Sequence, residues 1–298
     1  MICTFDQLFE AVRNRPRRTL AVPSAEGGSI VEACAEACRA GICDTILIGD
    51  PAKLDALRQT HARDCDGLRI EAEPDPDRAV ARALALVRAG EANLLMKGKT
   101  DTPTLLKAVL DADTGLRTGR VLSHVAVVAM PAYPRLMLWT DGGINIRPTL
   151  DVRLDMIRNA AEFAGKLGVA VPNVALLSAM EKVNPKMEET LDYERILKLH
   201  QNTPVVPATI EGPIAMDVAL SAESARIKEI DSRIAGATDI FVTPEISACN
   251  IAVKALIYLA GAQASGLVVG ARVPIVLLSR SDDAGTKLRS IALGAIWG

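Results

Sequence analysis

Short apolar runs alternate with amphipathic stretches along this chain. TLAVPSA (Thr19 to Ala25) reads as a strand, and Ser29 to Ala40 as a helix capped by Ser29 with Glu32 three residues on. TILIGD and a helix opening at Pro51 come next. In DPDRAVARALALVRAG, Val80, Ala83, Leu84 and Val87 keep the spacing of one helical face, and Gly90 supplies the stop. ANLLMKGKT, HVAVVAMP and RLMLWTDGG read as further strands. A second set opens near Arg135, with a helix over Leu150 to Leu167, then NVALLSAMEKVNPKM and a charged helix over Glu188 to His200. VVPATIEGPIAMDVALS, DIFVTPEISACNIAVKAL and RVPIVLLSRSDDAGTKLRSIAL complete it. Such alternation predicts an α/β fold of mainly parallel sheets flanked by helices. No low-complexity linker or internal repeat interrupts it.

A length of 298 residues favours two domains and allows a large core without staples. Aromatic residues make up only 3%, which suits helices packed on a parallel sheet better than a sandwich. A formal net charge of -2 gives no field for nucleic acid or an anionic membrane, so an anion site must concentrate its positive charge locally. The six cysteines form no C-x-x-C pair and the three histidines lie far apart, which argues against a zinc site. No stretch has the apolar length of a signal peptide or a membrane span. The expectation is a soluble, cytoplasmic protein with reduced thiols.

Open α/β sheets bind ligands beyond the carboxyl ends of their strands. One such end is Lys97-Gly98-Lys99-Thr100, followed by a helix that Asp101 or Thr102 can cap. Two lysines around a permissive glycine suit a phosphate, although the P-loop spacing is absent. Another end is Ser279-Arg280, followed by Ser281, Asp282 and Asp283 at a helix start. Capping by Ser281 or Asp282 explains part of that run. It does not explain Arg280, since a cation at a helix N-terminus opposes the dipole unless an anion lies between. Asp141-Gly142-Gly143 has the composition of a hairpin turn. Asp151 and Asp155 share a helical face, which reads as capping by Thr149 or Asp151 with Asp155 solvated, ahead of a divalent metal. Gly212-Pro213 follows a strand, with Asp217 four residues beyond the proline. Dinucleotide, zinc-protease and serine-hydrolase signatures are missing from the sequence.

Six colinear segments, LLMKGKTDTPTLLKAVL, TDGGINIRPTLD, LLSAMEKVNPKM, IEGPIAMDVALSAESA, ATDIFVTPEISACNIAVKAL and GARVPIVLLSRSDDAGTKLRSIAL, together resemble the phosphate acetyl/butyryltransferase family, most closely its butyryl branch. The resemblance implies a two-domain α/β fold of the kind shared with isocitrate and isopropylmalate dehydrogenases, with the active site in the interdomain cleft. Residues 1–134 plus 270–298 would form the first domain, and 135–269 a second that dimerises. The implied reaction is acyl-CoA plus phosphate giving acyl phosphate plus CoA. Coenzyme A is then a substrate, no cofactor is tightly bound, no metal is needed, and the partners are small molecules and a second copy of the chain.

The family's Leu-Ser-Arg motif falls on Leu278-Ser279-Arg280. The resemblance gives the serine to the developing oxyanion or thiol and the arginine to phosphate. Lys97, Lys99 and Lys107 could assist, and Gly98, Thr100, Asp141, Asn145, Gly212, Pro213, Asp217 and Asn250 fall in the matching segments as substrate-, CoA- or phosphate-binding positions. Where the acetyl branch carries a catalytic acid this chain has Thr286, so Asp283 or Asp282 becomes the candidate base. Cys249 stands where glycine is common, and Gly142-Gly143 where the butyryl branch has alanines. Two other readings share the fold: a metal-dependent NAD(P) dehydrogenase using Asp151, Asp155 or Asp217, and a non-catalytic acyl-CoA-binding protein.

Overall fold

The structure, a computed structural model, describes residues 1–277 and 282–297. Leu278, Ser279, Arg280 and Ser281, with Gly298, lie outside the described residues, so the principal pair expected from the sequence is not among them. The chain forms two compact units. A terminal unit comprises Phe5–Arg120 and Ser265–Gly298, and a central unit comprises Met1–Thr4 and Val121–Ala264.

The terminal unit begins with α1 (Phe5–Arg13), β1 (Arg18–Pro23), α2 (Gly28–Arg39), β2 (Cys43–Gly49), α3 (Pro51–His61) and β3 (Leu68–Ala72). It continues through α4 (Pro76–Arg88), β4 (Leu94–Met96) and α5 (Thr102–Val109). Three helices start on an aspartate whose carboxylate accepts an N–H of the first turn: Asp50, Asp75 and Asp101. Each is followed within two residues by a proline, which fits the first turn because its missing N–H would have no partner there. In α4, Val80, Ala83, Leu84 and Val87 are buried as their spacing predicts, and Gly90 takes the left-handed φ of +76° just past its end. Helix α2 departs from expectation. It starts at Gly28 with Gly27 in the cap position, so Ser29 sits inside the first turn and the helix has no side-chain cap.

The central unit runs through β5 (Ser123–Met130), β6 (Tyr133–Thr140), α6 (Leu150–Lys166), β7 (Asn173–Leu177) and α7 (Glu188–Asn202). Next come β8 (Thr209–Ile214), α8 (Met216–Leu220), α9 (Ala222–Ile227), β9 (Ile240–Val242) and α10 (Ile246–Ala260). The chain then returns to the terminal unit through β10 (Gln263–Val269), β11 (Ile275–Val276) and α11 (Ala284–Trp297). The expected change of domain at 134/135 falls within β6, whereas the compact units divide at Arg120/Val121 and Ala264/Ser265. The physical reason is that β5 and β6 pair antiparallel along most of their length and share one core.

In the terminal unit β3, β2, β1, β4 and β11 lie side by side and parallel, and β10 joins β11 antiparallel. Strand β4 (Leu94, Leu95, Met96) is fully buried, as a central parallel strand covered on both faces must be. The central unit has the order β5-β6-β9-β7-β8, parallel from β6 onward. Its core is anchored by Trp139 stacked on Phe241, with ring centroids 4.6 Å apart. Below it, the Arg135 guanidinium reaches the buried Asp239 carboxylate at 2.8 Å, and that carboxylate also accepts the Asn173 N–H. The N-terminal strap belongs to this unit, since the Ile2 N–H donates to the Leu167 carbonyl.

Candidate active site

In the terminal unit the loop after β4 packs against the end of β1. Ser24 has a left-handed φ of +49°, a conformation that disfavours a side chain. It turns the Ser24 carbonyl toward the loop, where the Lys99 N–H donates to it at 2.7 Å. The Ser24 and Thr100 hydroxyls are 2.9 Å apart, and both residues are buried. Between them lies Gly98, where a Cβ would stand 2.0 Å from the Pro23 carbonyl oxygen. Only glycine permits that approach. The Lys97 ammonium folds back over the same loop, donating to the Gly98 carbonyl at 3.2 Å and the Thr100 carbonyl at 3.1 Å.

This loop is one wall of a cavity of about 610 Å³ that is also lined by Gly27, Ser29 and Lys287. Asp101 is its one acidic lining residue among the described residues, and its carboxylate is engaged by the Thr104 N–H and hydroxyl, which hold it below the usual carboxylate range. Among the described residues, three lysines therefore line the cavity against one aspartate. Lys107 is not among its lining residues; it is exposed in the last turn of α5.

At the start of α11, Asp283 is the cap: its carboxylate accepts the Thr286 N–H at 2.6 Å. The backbone and side chain of Thr286 hold that carboxylate below its usual range. Of the two expected caps, Ser281 lies outside the described residues and Asp282 gives way to Asp283. Thr286 is itself a junction, since its hydroxyl accepts from Arg289 and its carbonyl accepts from Ser265.

The central unit holds a second group of expected residues. Asp141 is buried, and its carboxylate collects five donors: the N–H groups of His124, Gly143, Ile144 and Asn145 and the Asn145 side-chain amide. The expected hairpin turn at Asp141-Gly142-Gly143 is thus a loop wound around one carboxylate. Asn145 also donates to the Leu122 carbonyl, and Asn250 on α10 donates to the Gly142 carbonyl. Cys249 packs beneath, so that a Cβ on Gly142 would stand 3.1 Å from its sulfur. Burial, then the nearby Asp141 charge, pushes the Cys249 thiol up to about 12.

The remaining expected positions in the central unit have mainly structural partners. Asp217 pairs with Lys228 at 2.9 Å, and Lys228 also holds Glu181. That bond keeps the Asp217 carboxylate low. A Cβ on Gly212 would meet the Leu176 side chain at 2.5 Å, so this glycine lets β8 approach β7; the Gly212–Pro213 bond is cis. Asp155, expected in solvent, instead bonds the Val121 N–H and Arg158. Thr149 stands at the α6 cap position without a side-chain bond. Among the described residues no group of three acidic, histidine or cysteine side chains is placed to hold a metal.

Sequence reasoning passed over Ser24, Gly27 and Lys287. Only the glycine pair after β1 carried a local signal; Lys287 reaches the cavity through the return of the chain after β11.

The family described as "Phosphate acetyl/butaryl transferase" matches residues 72–295. The phosphate butyryltransferase of Clostridium acetobutylicum is 36% identical over 296 residues, covering 99% of this chain and 98% of its own. Among solved structures, a branched-chain phosphotransacylase from Enterococcus faecalis aligns with a TM-score of 0.85 at 31% identity, over 94% of this chain and 98% of that one. A putative 4-hydroxythreonine-4-phosphate dehydrogenase from Salmonella typhimurium aligns with a TM-score of 0.62 at 13% identity, over 95% of this chain and 100% of that one, a likeness of fold alone. With a family match over most of its length and a relative spanning nearly all of it, this chain belongs to the phosphate acetyl/butyryl transferase family and is a phosphate acyltransferase.

Proposed function

We propose that the enzyme moves a short acyl group, butyryl or one close to it in length, between coenzyme A and inorganic phosphate, and that it works as a cytoplasmic homodimer. The observation that carries the site reading is the lysine-lined cavity at the carboxyl end of β4. Phosphate repels the anionic CoA, so fixed cations are needed to bring the two together.

In the forward step a phosphate oxygen attacks the thioester carbonyl carbon. A C–O bond forms, the carbonyl oxygen becomes an oxyanion, and collapse breaks the C–S bond to release the CoA thiolate, which takes up a proton. Arg280 and Ser279 are assigned to phosphate and oxyanion on the family motif, Arg280 because its planar fork matches two phosphate oxygens. In reverse a base must remove the thiol proton. Asp283 or Asp282 is the candidate for that role, and engagement by Thr286 makes the Asp283 carboxylate a weak proton acceptor. The Asp141 carboxylate, surrounded by five donors, acts as the organiser of its loop, and Asn145 and Asn250 set that loop's position.

Two observations support the rest. Helix α10 leaves Ile251, Tyr258 and Leu259 at 67%, 74% and 87% exposure, an apolar face that a second copy would cover. All six cysteines are unpaired, as in a reducing compartment.

The test is thiol release from acetyl-, propionyl-, butyryl- and branched acyl-CoA, with and without phosphate. Phosphate-dependent release that peaks near butyryl supports the proposal. Binding of thioesters without phosphate-dependent release, or reduction of a nicotinamide cofactor by a hydroxy acid, overturns it.

A further inference from the structure

We propose that Lys287, together with Lys99, grips a phosphoryl group inside the cavity of the terminal unit. The proposal deepens the acyl-transfer reading and rests on it for the identity of the ligand. Of the three lysines lining the cavity, Lys97 is engaged with the Gly98 and Thr100 carbonyls. Among the described residues, the side chains of Lys99 and Lys287 make no ion pair or hydrogen bond. Asp101, the one acidic lining residue among those described, already serves Thr104. Two ammonium groups thus face a shared space, and the carboxylate whose field Lys287 feels, Asp283, makes no close ion pair with it and is already engaged by Thr286.

Lys287 also lies in the first turn of α11, where a cation opposes the helix dipole. Its backbone N–H donates to the Asp283 carbonyl, which fixes the direction from which its side chain enters the cavity. Opposite lies the start of α2, whose cap residue is Gly27 and whose first turn has no capping side chain. A phosphoryl group between the lysines would neutralise both ammoniums and accept from that turn. Lysine is a flexible point charge with three donors, and so suits a tetrahedral anion in more than one orientation. Two phosphoryl sources meet this enzyme: inorganic phosphate, and the ester phosphates of CoA.

The experiment measures KM for phosphate and for butyryl-CoA separately in Lys287→Gln, Lys287→Arg and Lys99→Gln. Lys198→Gln, on the exposed face of α7, is the control. Lys287→Gln is expected to raise one KM about tenfold, with Lys99→Gln acting in the same direction and Lys287→Arg restoring most of the loss. A rise confined to phosphate identifies inorganic phosphate. A rise confined to butyryl-CoA, and absent with the dephospho-CoA thioester, identifies the 3′-phosphate; a rise with both thioesters identifies the pyrophosphate. Unchanged KM values for both substrates in a folded Lys287→Gln protein overturn the proposal. Absence of phosphate-dependent thiol release in the unmodified protein would sink the acyl-transfer reading instead. Calorimetric binding of pyrophosphate to the unmodified chain and to Lys287→Gln still decides the cavity in that case: a loss of at least about fivefold supports the grip, and equal binding refutes it.

Discussion

Gly98 lies against Ser24 so closely that a Cβ on the glycine would stand 2.4 Å from the Ser24 carbonyl oxygen. Both obstructing atoms, this oxygen and that of Pro23, belong to the backbone at the end of a buried strand, so neither can swing aside. The loop that carries Lys97, Lys99 and Thr100 thus has one way of leaving β4.

Gly98→Ala is accordingly expected to destabilise the protein by about 2–4 kcal/mol. Urea unfolding should show a lower midpoint with an unchanged slope. Activity should fall in the protein that remains folded, because Lys99 and Thr100 must move with the loop.

Asp141→Asn replaces an acceptor oxygen by an amide donor where five donors already converge. Donor then faces donor in a buried position, at a cost of about 3 kcal/mol. A drop in thermal midpoint together with a loss of turnover is the expected result. A variant with unchanged stability would show that the loop does not depend on that charge.

Burial pushes the thiols of Cys43 and Cys249 up to about 12. In the folded state they keep their protons where unfolded thiols, titrating near about 8.5, have lost theirs. The unfolded state then binds fewer protons, so stability is full below the unfolded value and declines as pH rises toward the folded one. Unfolding midpoints measured at about pH 8 and about pH 10 should show this loss, and Cys249→Ala should make it smaller.

Arg280→Lys keeps the charge and loses the two-pronged donor geometry, so phosphate-dependent turnover should fall at least about tenfold. Near-normal phosphate kinetics in that variant would defeat the assignment.

Thr286→Asp supplies the acid of the acetyl branch at a position one helical turn from Asp283. Because Asp283 already accepts the Thr286 N–H, the new carboxylate would face a like charge across the cap. The expected outcome is a lower thermal midpoint and no gain in rate. A strong rise in turnover would show that neither Asp282 nor Asp283 fills the basic role.

Much of this arrangement was legible wherever one helical turn or one strand carries the signal. The Asp101 cap with Pro103, the buried face of α4 and the buried run of β4 follow from local spacing alone. Ser29 misled because two glycines ahead of it let the chain enter α2 two residues earlier than a serine cap would. The antiparallel pairing of β5 with β6 and of β10 with β11 was not anticipated, since strand direction depends on which edge a chain returns to. The Asp141 donors belong to residues whose N–H directions exist only once the loop is wound. Lys287 illustrates the same limit on the largest scale, because a helix near the C-terminus meets a loop after β4 only through the tertiary fold.

Strand β4 sits between β1 and β11, and all of the central unit but Met1–Thr4 separates β4 from β11 in sequence. A ribosome therefore delivers Leu94, Leu95 and Met96 long before their second neighbour exists. Throughout that interval the early half of the sheet presents a bare apolar rim, while the intervening unit can close on itself. Newly made chains thus expose β4 to sticking or to chaperone capture until Ile275 and Val276 pair with it.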